Sequence, residues 1–171
     1  MNAEHARLLA LQFAGLMESE VPTTCKVLGS VKNDTRDYKP DAKSRSAWEL
    51  ATHIATSDAW FLDSIINGAF AFDPAAAKQA EAQFNTTDDV VAFYKTTVAA
   101  KLATIKTMSD DHLTRDVDFF GMMKQPAVTY LGLANNHSVH HRGQLAAYLR
   151  PMGSTVPAIY GGSADEPMQG V

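Results

Sequence analysis

SAWELATHIATSDAWFLDSIING, residues 46–68, decides how the rest of the chain is read. Ser46 followed by Glu49 forms a capping box, in which each side chain takes a free backbone amide of the other, and Asn67-Gly68 is a helix stop. Between them Leu50, His53, Ile54, Ser57, Trp60, Phe61, Ser64 and Ile65 recur at three- and four-residue spacing. One stripe of this helix therefore faces the interior, and His53 lies on it.

Three more segments carry the helical period. Upstream, Leu8, Leu11, Ala14, Leu16, Met17, Val21, Val27 and Leu28 predict a long helix from Ala3 to about Gly29, which Pro22 is expected to kink or split. Downstream, the hydroxyls and carboxylates of TTDD, residues 86–89, start a helix running to about Met108 with the stripe Val91, Tyr94, Val98, Leu102 and Ile105. Pro126 suits the first position of the last helix, which Arg150-Pro151 and Gly153 end. The first two connections, at roughly 15–17 residues, are long for bundle hairpins, and the second has room for a helical turn after Pro74. In the third, Val117 and Phe119 alternate with polar residues before Gly121, as in a short β-hairpin or an irregular loop. The predicted class is all-α: a four-helix bundle with long connections. Residues 1–171 are expected to form a single domain, its Gly- and Pro-rich tail from about residue 151 packed on the bundle through Ile159 and Tyr160.

Bulk composition narrows the function. A chain of 171 residues, 46% hydrophobic, buries one core. Its net charge of −4 and scattered fifteen Lys and Arg speak against nucleic-acid binding by phosphate neutralisation. The single cysteine, Cys25, excludes an intramolecular disulfide and reads as a small apolar filler. No apolar run approaches the roughly twenty residues of a membrane span, and the N-terminus lacks a secretory pattern, so a cytoplasmic location is expected.

Three of the six histidines fall in NNHSVHHRGQL, residues 135–145. His137 and His141, four apart, stack one turn above each other and can address one ion. The inward seam of the last helix reads Tyr130, Leu133, Ala134, His137, His141, Gln144, Leu145 and Tyr148, with His140 at its margin. A catalytic mononuclear site commonly takes three protein ligands and keeps an open position, so a third ligand must come from another helix. His53 is the one remaining histidine on an apolar stripe; His5 lies near a terminus and His112 in an acidic loop. A lone HxxxH pair is often incidental and a lone buried histidine is usually just hydrogen-bonded. Together, on two inward faces, they point to a metal site at His53, His137 and His141. Arg142 is expected to face solvent or an acidic partner, Gly143 to permit a close helix approach, and Trp60, Phe61 and Tyr148 to be core residues, pocket lining being the lesser alternative.

The run HSVHHRGQLAAYLRPMGSTVPAIYGGSADEP, with DYKPDAKSRSAWELATHIA around His53, resembles the DinB-like superfamily, including the YfiT-type metal-dependent hydrolases. The resemblance covers nearly the whole chain. It implies a four-helix bundle whose three histidines, one on the second helix and an HxxxH pair on the fourth, hold one divalent transition metal, nickel or zinc, and these positions fall on His53, His137 and His141. Related branches transfer or isomerise with a low-molecular-weight thiol as cosubstrate.

The function expected is a metal-dependent enzyme acting on a small molecule, of hydrolase or thiol S-transferase type, with the ion lowering the pKa of a bound water or thiol. Gln144 is the candidate to orient a metal ligand or hydrogen-bond the substrate, with Trp60 and Tyr148 as pocket walls, and no protein base is evident on these faces. The expected partner is a small-molecule substrate, not nucleic acid or membrane, with a homodimer left open. The competing reading is a non-catalytic, stress-linked bundle that binds a metal or small molecule.

Overall fold

Each of the first three long helices begins where a side chain can take a free backbone amide. The computed structural model describes residues 1–168. The Asn2 side chain accepts from the His5 amide to start α1 (Ala3–Gly29), Ser46 and Glu49 form the expected capping box at α2 (Ala47–Asn67), and Thr86 with Asp89 forms another at α4 (Thr87–Phe93). α2 stops at Gly68, whose φ of 67° is the left-handed conformation glycine adopts most easily. A Cβ here would collide with the Arg115 guanidinium, which donates to the Asn67 carbonyl at 3.0 Å and so ties the helix end to the later hairpin.

The third rod is α4, a π-helical turn at Tyr94–Val98, and α5 (Ala99–Thr107). In a regular α-helix residues four apart drift round the surface. The wider π turn keeps Tyr94, Val98 and Leu102 all in the core, none more than 2% exposed. Between α2 and this rod the connection contains a full helix, α3 (Pro74–Ala82), capped by Asp73, where the sequence suggested only a turn. After α5 come the short α6 (Asp110–Thr114) and an antiparallel hairpin of β1 (Asp116–Phe119) and β2 (Met123–Pro126), with Asp116 opposite Pro126. Pro126, expected to open the last helix, has an extended ψ of 138° and ends the strand instead. A 3₁₀ turn, Ala127–Thr129, then leads into α7 (Tyr130–Leu149).

α2 packs most extensively on α7, and α1 packs on α5 and α7, while α2 also meets α5. The order round the bundle is thus α1, α7, α2, then the α4–α5 rod, which places α1 and α2 across a diagonal and explains the long crossing connection between them. α1 departs from the sequence reading twice. Its buried stripe is Ala6, Ala10, Ala14, Met17, Val21, Thr24 and Leu28, while Leu8, Leu11 and Leu16 are exposed. The alanines carry the inward period, and their small side chains let neighbouring helices approach. Pro22 does not split the helix: it sits on the exposed face, where water can take the carbonyl left without an amide.

The tail lies against the bundle through residue 168. Val156 and Ile159 pack on the core, whereas the Tyr160 ring is 71% exposed and engages through its hydroxyl. Residues 169–171 of the expected tail lie outside the described residues. Among the described residues no helix is long and apolar enough to cross a membrane.

Candidate metal centre

α2 and α7, packed side by side, bring His53, His137 and His141 together. One nitrogen of each lies within 4.8 Å of those of the other two. The ring centroids are 5.3 Å apart for His53 and His137, 4.8 Å for His53 and His141, and 4.4 Å for His137 and His141. His140 is exposed, its ring 4.9 Å from that of His141 and outside the three-histidine cluster. His5 and His112 also stand apart from it.

Two of the imidazoles, His53 and His141, resist protonation. His53 is pushed down to about 3, chiefly by burial, then by the neighbouring Arg45 charge and by His141 and His137. His141 is also lowered, again mainly by burial and against the opposing effect of Gln144. A neutral imidazole is the form that ligates a cation.

Each ring also has an oxygen on its Nδ1 side. Gln144 Oε1 lies 3.1 Å from His141 Nδ1. His53 Nδ1 has the Ser57 hydroxyl at 3.0 Å and Glu81 Oε1, from α3, at 3.7 Å. His137 Nδ1 faces Asp58 Oδ1 at 3.8 Å, beyond hydrogen-bond reach, and neither of these buried atoms has a hydrogen-bond partner among the described residues. Asp58 is fully buried, its other oxygen accepting from the Tyr94 hydroxyl at 2.9 Å. Burial, then the Asp58 charge, raises the Tyr94 phenol far above its usual range, so it stays a donor. The Gln144 oxygen at His141 Nδ1 selects the tautomer that leaves Nε2 bare, which is how metal-binding histidines are ordinarily oriented, whereas the Ser57 hydroxyl also lies 3.4 Å from His53 Nε2. The residues present therefore fit a divalent cation.

Gln144, expected near the metal or substrate, is placed to orient His141. Asp58 and Glu81 were not singled out in the sequence, where Tyr94 reads only as a core residue of the third helix. Asp58 had a readable signal, a carboxylate whose neighbours one helical turn away, Ile54, Ala55, Phe61 and Leu62, are all apolar. Glu81 had none, since it comes from a helix hidden in a connection.

Two other expectations are resolved. Of the two settings expected for Arg142, solvent is excluded and an acidic partner is found: it is 1% exposed, and its guanidinium meets Glu20 at 2.5 Å, the Thr24 hydroxyl at 3.0 Å and the Tyr160 hydroxyl at 2.5 Å. Gly143 makes no close helix approach, as a Cβ there would meet nothing within 4 Å. Trp60 is half-buried and, with His53, His137 and Glu81, lines a cavity of about 660 Å³ that opens beside the histidines, whereas Tyr148 is buried in the core.

The sequence comparisons agree with this architecture. The sequence model of the DinB family matches residues 5–169. The uncharacterized protein YjoA of Bacillus subtilis is 33% identical over 140 residues, covering 80% of this chain and 86% of YjoA. The uncharacterized YrdA of the same organism is 36% identical over 63 residues, 36% of this chain and 37% of YrdA. The crystal structure of YjoA, a DinB-like protein, superposes with a TM-score of 0.65 at 32% identity, covering 84% of this chain and 93% of that one. A DinB-like protein from Bacillus cereus gives a TM-score of 0.64 at 25% identity, covering 86% and 95%. Matched along nearly its whole length and folded as its solved relatives are, the chain belongs to the DinB family.

Proposed function

We propose that this protein is a metal-dependent enzyme acting on a small molecule, with one divalent ion, nickel or zinc, held by His53, His137 and His141. The observation that carries the reading is the convergence of three imidazoles beside an open cavity, each with an oxygen at Nδ1. Neutral imidazoles do not discriminate well between nickel and zinc. When bound, the ion would supply Lewis acidity, lowering the pKa of a water or of a low-molecular-weight thiol to yield a nucleophile at neutral pH.

The chain's own residues supply orientation and proton handling. Asp58, held by Tyr94, faces the His137 ring on its Nδ1 side and would orient it once the ion is bound, while Gln144 holds His141. Of the two carboxylates on the cavity wall, Asp73 and Glu81, Glu81 lies beside His53, placed to accept a proton as a nucleophile forms, and burial raises its pKa toward that task. The reaction is hydrolysis of the substrate or transfer of the thiol sulfur onto it.

Elemental analysis of untagged protein tests the site. About one divalent ion per chain is expected. His53→Ala, His137→Ala and His141→Ala should each lose most of it, whereas His140→Ala should keep it. Equal metal content in the wild type and the triple variant overturns the proposal.

A further inference from the structure

The cavity beside the histidines has two unlike walls. One is aromatic: Trp60 is surrounded by Phe72 at 6.2 Å and Phe120 at 6.4 Å between ring centroids, with the planes of Trp60 and Phe120 only 7° apart. The indole is fixed in place because its Nε1 donates to the Ala71 carbonyl at 2.8 Å. The other wall is α3, which contributes Ala76, Ala77 and Ala80 and buries none of its own residues. Arg45, Thr56, Ser57, Asp73 and Glu81 also line the cavity, but the alanines and the flat rings give it two apolar walls suited to a flat apolar body.

The placement of Phe120 carries the argument further. It is the single non-glycine residue with positive φ among the described residues, at 56°, followed by Gly121 at 71°. The Met122 amide donates to the Phe119 carbonyl at 3.0 Å, closing a turn at the hairpin tip whose two central residues both have positive φ, as the type I′ turn requires. Such turns favour Asn-Gly, and a phenylalanine there is conformationally strained. The ring is nevertheless 45% exposed, so core burial does not account for it. Strain kept at a cavity rim next to candidate metal ligands is the usual mark of a functional side chain.

We propose that the cavity binds a substrate with a flat aromatic or conjugated body between the Trp60, Phe72 and Phe120 rings and the α3 alanines, its reacting group directed at the histidines, and that Phe120 determines specificity. This names the substrate class for the metal-site reading above and rests on it.

The test uses full-length zinc-loaded protein and three hydroxamates with the same metal-anchoring head: acetyl, 2-naphthyl and the saturated decahydronaphthyl analogue. The naphthyl compound should bind on the order of 50-fold tighter than the acetyl one through added apolar burial, and tighter than the saturated analogue, which is too thick. Phe120→Asn should cut the naphthyl-over-acetyl preference by roughly 3- to 10-fold. The same variant should leave zinc content unchanged and the melting temperature equal or higher, because it restores the favoured turn sequence. A purely structural Phe120 would lower the melting temperature and leave the preference intact. That outcome, or equal binding of all three compounds, overturns the inference. If no zinc is retained the metal reading fails separately, and 2-naphthol quenching of Trp60 fluorescence in a Trp48→Phe background still tests the slot. Quenching weakened by Phe120→Asn supports the inference, and none at millimolar 2-naphthol overturns it.

Discussion

Two strips of polar residues run side by side along α7, one position out of phase, and they have opposite characters. His137 and His141 form one; Ser138 and Arg142 form the other. Arg142 is closed: Glu20 neutralises it and two hydroxyls each accept one of its other donors, with little solvent reaching it. The histidine strip is open. Its Nδ1 atoms face oxygens from the protein, while the Nε2 atoms of His137 and His141 have no protein partner among the described residues. A strip satisfied from within serves the fold, and one that keeps unpartnered nitrogens is suited to hold something else. A rotation of about 100° on one helix separates the two.

The largest effect should come from opening the closed strip. Arg142→Ala leaves Glu20 and the two hydroxyls without their donor, which should cost about 3 kcal/mol, the lower end for a broken buried pair because Glu20 keeps some solvent contact. Denaturant unfolding should show this, with a melting temperature lower by roughly 6–12 °C. Metal content per folded molecule should be unchanged. A variant that loses metal while keeping wild-type stability would reverse the roles assigned to the two strips.

Loosening the outer edge of the open strip comes next. Asp58→Asn keeps the shape but removes the negative oxygen that faces His137 Nδ1 and the charge that Tyr94 donates to. Metal affinity measured against a competing chelator should fall about 10- to 100-fold. The circular dichroism spectrum should be retained. Wild-type affinity in this variant would mean that Asp58 is a structural polar residue and not an orienting one.

This contrast also marks what was legible in the sequence. Four helices, the Ser46 cap, the Gly68 stop and the pairing of His53 with an HxxxH pair could all be read, because spacing and capping are local properties. Which α7 positions are buried could not be read as well. Hydropathy placed Arg142 outside, since its burial depends on Glu20 and Thr24 of α1 and Tyr160 of the tail, all distant in sequence. Similarly, hydropathy chose the leucines of α1 over Ala6, Ala10 and Ala14, because it scores what a residue prefers and not how closely two helices pack. Glu81 reaches His53 from a helix whose composition carries little period, so tertiary placement alone reveals it.

The smallest effect is on pH, and it separates the strips without disturbing either. In metal-free protein His53 titrates at about 3 when folded against 6.5 for the free side chain. Between those values the unfolded chain binds a proton that the folded chain does not, so stability falls as pH drops from 6.5 toward 3. His141, lowered for the same reason, adds to the slope in the same direction. Because solvent still reaches part of the His53 ring, the loss between pH 7 and 5 should be only about 1 kcal/mol. Arg142 stays charged throughout this range and contributes no slope through its own ionisation. Unfolding of chelator-treated protein at both pH values should therefore show a shallower dependence in His53→Gln than in the wild type. Parallel dependences would mean that the imidazole is as easily protonated in the fold as in water, and the open strip would lose the neutral histidine that makes it a cation site.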